Sequence, residues 1–144
     1  MTTAQYVFET AMTLMDELNE SNGKADTSDT KEYKNRTLKI LNILCGELFP
    51  YSDTFAVETT GKRPICQSVD GFDSGLGLDD YICRSVLPYG LAAHLLMQED
   101  PSSAGFFQQR YDELKAMLAR GLPAASEDIE DVYGYMPYNE FSRW

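Results

Sequence analysis

The sequence holds a single histidine, His94, and three cysteines, Cys45, Cys66 and Cys83, in 144 residues. One imidazole and three scattered thiols give no zinc spacing, no CxxC pair and no even disulfide set. Reduced thiols are expected, with Cys45 and Cys83 in apolar helical runs, where a thiol packs as a small hydrophobe, and Cys66 the most exposed. Positive charge is also scarce: 12 Lys and Arg stand against 23 Asp and Glu, a net charge of −11. That balance excludes a broad basic surface for gripping nucleic-acid phosphates. No apolar run approaches the ~20 residues of a membrane-spanning helix. Met1-Thr2-Thr3 lacks the basic and then apolar opening of a secretory leader, so a cytoplasmic chain is expected and the sequon Asn35-Arg36-Thr37 reads as chance. The glycines Gly71, Gly75 and Gly77 fit no phosphate loop, and Asp70, Asp73, Asp79 and Asp80 fit no calcium-loop pattern. Turns and helix caps account for both sets.

What is present is a helical core. An apolar share of 43% supports an ordinary globular domain. The chain is organised around residues 79–121, read as two helices joined by a sharp corner. Val86 to Met97 is apolar on nearly every face, which requires burial among neighbouring helices. Pro88 within it predicts a kink or a restart, and Gly90, Ala92 and Ala93 let a neighbour come close. At the corner Asp100 is a good N-cap and Pro101 suits the first helical position. Ala104, Phe107, Tyr111, Leu114 and Leu118 then form one stripe of an amphipathic helix. Gly121 is expected to take a left-handed cap, with Pro123 preventing continuation.

Two earlier helices complete the set. The first runs from Thr2 or Thr3 to about Asn19, with Ala4, Val7, Ala11, Leu14 and Leu18 inward. The second is capped by Asp29 with Glu32 as a capping box; it turns Thr37, Leu41, Leu44 and Leu48 inward and stops at Phe49-Pro50. Lys31, Lys34, Arg36 and Lys39 on its first half read as a solvated face. Residues 51–78 change character and are expected as an irregular or hairpin insertion, with Phe55-Ala56-Val57 and Ile65 to Val69 as short strands around a Gly-Pro turn. The resulting fold class is mainly α: a small bundle of about four helices over 1–121, a short β-hairpin-like insertion, and an extended acidic aromatic C-terminal tail over 122–144.

The tail sets Glu127, Asp128, Glu130, Asp131 and Glu140 against one cation, Arg143, yet carries Tyr133, Tyr135, Tyr138, Phe141 and Trp144. Disordered acidic tails are poor in aromatics. This one packs along its own domain or supplies anchors to a partner, with true disorder as the third reading, and those five aromatics are the candidate partner-binding residues. Catalytic chemistry has no such candidates. Cys83 and His94 sit eleven residues apart in sequence, roughly 16 Å along a helix, which precludes a direct dyad. His94 reads as a core or interface histidine. No cofactor, metal site or catalytic constellation is expected.

Leu87-Pro88-Tyr89-Gly90-Leu91-Ala92-Ala93-His94-Leu95-Leu96 with Glu99-Asp100-Pro101, and then Ala104-Gly105-Phe106-Phe107-Gln108-Gln109-Arg110-Tyr111, resembles small proteins of phages and prophages of Gram-positive bacteria. The endings Asp131-Val132-Tyr133-Gly134-Tyr135 and Glu140-Phe141-Ser142-Arg143-Trp144 are similar to the same group. An apolar helix, an Asp-Pro corner and an aromatic helix together resemble the head–tail connector adaptors of tailed phages. The resemblance covers about residues 80–144 and implies a non-enzymatic, mostly helical structural protein that forms a ring between portal and tail. The implied partners are further copies of the chain, the portal, and tail or head-completion proteins. DNA would pass nearby without specific binding, no membrane would be involved, and the protein would reside in the virion, or in the host cytoplasm before assembly. The alternative is an acidic helical regulatory module that sequesters a partner protein through its C-terminal tail.

Overall fold

Four α-helices dominate the computed structural model, which describes residues 1–25, 27–56 and 59–121. They are α1 (Ala4–Leu14), α2 (Ser28–Leu48), α3 (Leu87–Leu96) and α4 (Pro101–Arg120). A 3-10 turn, Phe49–Tyr51, closes α2, and a π-helical turn, Ile82–Val86, leads directly into α3. The helix α3 packs against the three others, as its all-round apolarity requires. Leu87, Leu91 and Leu95 are wholly buried, each worth about 2 kcal/mol of hydrophobic stabilisation. Among the described residues no helix is long and apolar enough to cross a membrane.

The Pro88 expectation is met by a change of helix type. A proline inside a helix has no N–H to donate and its ring presses on the carbonyl four residues back. The wider π turn over Ile82–Val86 relieves both problems, so the chain enters α3 with Pro88 in its first turn. The corner before α4 is as expected: Asp100 accepts from the Ser103 N–H at 3.2 Å, Pro101 is the first helical residue, and Ala104, Phe107, Tyr111 and Leu114 are buried. Gly121 differs from expectation. Its φ of −81° is right-handed, and its N–H is shared by the Met117 and Leu118 carbonyls at 3.1 Å. Pro123 lies outside the described residues.

Helix α1 ends five residues before the expected Asn19. The Asp16 N–H reaches the Thr13 carbonyl, and a left-handed φ of 58° at Asp16 lets the Glu17 N–H reach the Met12 carbonyl at 2.9 Å. This pairing satisfies the carbonyls left open at a helix end. The N-cap of α2 also corrects the expectation: Thr27, not Asp29, accepts from the Thr30 N–H. Asp29 falls instead in the first turn, where a carboxylate complements the positive helix end.

Of the irregular or hairpin insertion expected over 51–78, the described residues show the irregular form: Ile65 to Val69 is not a strand, and Val57 lies outside the described residues. Val69, at the end of the second expected strand, bonds to α2. Asn42 on α2 brackets Val69, donating to its carbonyl at 3.1 Å and accepting its N–H at 2.6 Å. Residues 72–76 serve the start of α1, whose first N–H groups have no partner within the helix. Ala4 donates to the Ser74 carbonyl and Gln5 to that of Phe72, while Leu76 donates back to Thr2. Thr3 and Gly75 form an isolated antiparallel bridge. Val69, Leu76 and Leu78 are buried, so the insertion completes the core beside α1.

One core group is imperfectly satisfied. The Tyr111 hydroxyl is buried and makes no hydrogen bond among the described residues. Burial, and then the nearby Glu47 carboxylate, push its phenol above the usual range, while Glu47 also pairs with Lys115. A buried hydroxyl without a partner costs stability that its removal restores. Tyr111→Phe is therefore expected to stabilise the domain by about 1 kcal/mol, read as a higher thermal midpoint; a midpoint lowered by as much would show that the hydroxyl is bonded.

Candidate functional site

Two depressions lie along one side of α4, facing the π turn. The near one adjoins the end of α4 and is bounded by Tyr51, Asp53, Asp79, Tyr81, Met117 and Gly121, with a volume of about 380 Å³. The far one, about 400 Å³, is bounded by Arg84, Ser85, Tyr89, Arg110 and Leu114 and shares Tyr81 with the first. Positions 110, 114, 117, 118 and 121 recur every three or four residues, so one face of α4 floors both. The opposite wall exists because the π turn offsets Tyr81, Arg84 and Ser85 from the register of α3.

Each wall residue is held by identifiable contacts. The Arg84 Nε donates to the Thr2 hydroxyl at 3.3 Å, and its guanidinium lies 5.4 Å from the Tyr6 ring centre. Its terminal nitrogens make no hydrogen bond among the described residues. Arg110 pairs with Glu113 at 3.3 Å, an exposed contact between neighbours on one helix and worth little. Asp79 accepts the Asp53 N–H at 2.9 Å. Asp80 accepts both the N–H and the hydroxyl of Thr2; these bonds hold its carboxyl below the usual range. The Asp79 and Asp80 carboxylates therefore differ from the expected turn and cap roles, because each bonds a residue far away in sequence.

The residues weighed for chemistry do not converge. His94 is half-buried and lines a shallow depression of about 250 Å³ with Met97, Pro101 and Gly105. Cys83 is buried, donates to the Leu78 carbonyl at 3.7 Å, and has its thiol pushed up to about 12 chiefly by burial. Burial likewise pushes the Cys45 thiol up to about 12, and Cys66 is the most accessible of the three. Such thiols stay protonated and unreactive near neutrality. No group of three or more His, Cys, Asp or Glu among the described residues is placed to hold a metal ion.

The cations of α2 behave as a structural and solvated face. Lys34 sits over the Phe72 ring at 4.7 Å, and Arg36 donates to the Leu95 carbonyl at 3.4 Å. Tyr133, Tyr135, Tyr138, Phe141 and Trp144 lie outside the described residues. Sequence reasoning missed that Arg84 and Arg110, 26 positions apart, border one depression. The only signal was Pro88, which marked a local change of helix geometry but not its direction. Comparison of the chain with protein-family models, with curated proteins and with solved structures gives no match.

Proposed function

We propose that the protein is a non-enzymatic assembly component of a tailed phage or prophage, a head–tail connector adaptor that joins further copies of itself and the portal. The sequence resemblance over residues 80–144 motivates the reading. The observation that carries it is the distribution of exposed apolar side chains over separate faces. Phe106 projects from α4, whereas Ile65, 89% exposed, projects from the insertion. A head-to-tail ring buries two different surfaces of each copy, so both must be adhesive. The tail aromatics Tyr133, Tyr135, Tyr138, Phe141 and Trp144 supply further anchors of the kind that dominate interface energetics.

The test is light scattering coupled to size exclusion, on the protein alone and mixed with the portal protein encoded alongside it. A ring-sized species or a stable portal complex is expected. Truncation of Leu122 to Trp144 is expected to leave the helical circular dichroism intact and to abolish that assembly. A monomer indifferent to the portal would overturn the connector reading and favour the regulatory module.

A further inference from the structure

The described chain leaves α4 at Gly121, which itself borders the near depression. From there to Arg110 is eleven positions of helix, about 16 Å. Extended chain advances about 3.3 Å per residue, so about five residues returning along α4 bring position 126 or 127 level with Arg110. The sequence beyond Gly121 matches the charges along that path. Leu122 to Ser126 carry no charge, which suits passage beside Asp53 and Asp79. Glu127, Asp128, Glu130 and Asp131 follow at the distance of Arg84 and Arg110. Both guanidiniums have capacity to spare, because Arg84 uses only its Nε and Arg110 holds only an exposed neighbour. Tyr81 and Met117, each 54% exposed, offer apolar surface along the way.

We propose that this groove is the seat of the chain's own C-terminal segment, with the acidic stretch Glu127 to Asp131 received by Arg84 and Arg110. The proposal does not depend on the connector reading. A tethered segment binds at high effective concentration, so two modest charge contacts suffice to hold it. The carboxylates that compete for the same guanidiniums are Glu113 beside Arg110 and Asp80 near Arg84. Glu113 gives up only an exposed pair, and Asp80 is already committed to Thr2. Seating at Glu127 to Asp131 leaves the aromatic residues from Tyr133 onward beyond the groove, tethered to one side of the domain.

Zero-length carbodiimide coupling of the full chain tests this, using Arg110→Lys to place an amine at the seat. Lys115 coupled to Glu47 serves as the internal standard, because that pair is already in contact. The expected product is an intramolecular link from position 110 to Glu127, Asp128, Glu130 or Asp131, formed equally at low and high protein concentration and lost at high salt. Links to Glu113 alone would overturn the proposal. Links found only in covalent dimers would also overturn it, assigning the groove to the tail of a second copy. Arg84→Lys provides the second amine, with the same expectation. In an independent measurement, Arg84→Glu with Arg110→Glu is expected to speed cleavage after Glu127 and Glu130 by a glutamyl endopeptidase about fivefold, the scale of two exposed charge contacts. An unchanged rate would overturn the seat.

Discussion

Replacing Leu91 with Asp is expected to abolish the folded domain. Leu91 is wholly buried at the middle of α3, in contact range of the other three helices through the core they share. Losing the leucyl side chain from such a position costs about 2–5 kcal/mol even when the replacement is neutral. A carboxylate adds the penalty of a charge with no partner, which it can reduce only by taking up a proton. Total stabilities of single domains are about 5–15 kcal/mol, so the sum removes most or all of the margin. The expected observation is loss of helical circular dichroism and of any cooperative thermal transition. Met97→Asp, one turn and a half further along and 55% exposed, serves as the control, with an expected cost of about 0.5 kcal/mol or less. A soluble, cooperatively melting Leu91→Asp protein would overturn the placement of α3 at the centre.

The placement of α3 was readable because its signal is local and redundant. Apolarity on every face, the small residues Gly90, Ala92 and Ala93, and the Asp100-Pro101 corner all point to one buried helix followed by a sharp turn. Features that rest on distant pairings were not readable. The insertion looked like a hairpin because its valines and isoleucines flank a Gly-Pro turn. Its backbone partners are instead Asn42, Thr2, Ala4 and Gln5, and nothing in a local pattern announces them. Helix α1 illustrates a subtler failure. The apolar period runs on through Leu18, which does pack against the core, but after a left-handed turn at Asp16 rather than along a continuing helix. For α2, Thr27 and Asp29 are both competent caps, and the choice falls to the hydroxyl of Thr30, which donates to the Thr27 carbonyl at 2.7 Å.

The same division holds for the groove. Its contents, two arginines and several tyrosines, are evident in the sequence, but their convergence depends on the π turn. That turn offsets Tyr81 and Arg84 against the face of α4 that carries Arg110 and Leu114. The proline foretold that the helix would deviate, and only the surrounding packing determines where the deviation points.

Gly90→Val is expected to cost about 3 kcal/mol, through overpacking rather than through any cavity. A Cβ at position 90 would stand 2.9 Å from Cε2 and 3.0 Å from Cδ2 of Tyr111, and 3.2 Å from Cδ1 of Leu44. The Tyr111 ring is rigid and wholly enclosed, so it has no open space to enter. Alanine at position 90 gains about 1 kcal/mol of helix propensity over glycine, set against an overpacking cost of about 1–3 kcal/mol. Gly90→Ala is therefore expected to be destabilising by about 1 kcal/mol, whereas valine brings two further carbons into the same space and loses the propensity gain. A double-mutant cycle separates this clash from other causes. Tyr111→Phe keeps both offending ring carbons and should leave the cost of Gly90→Ala unchanged. Tyr111→Leu removes the ring and should reduce that cost, giving a coupling energy of about 1 kcal/mol. Equal costs for Gly90→Ala in the two backgrounds would show that the close approach of α4 to α3 is not what position 90 requires of its residue.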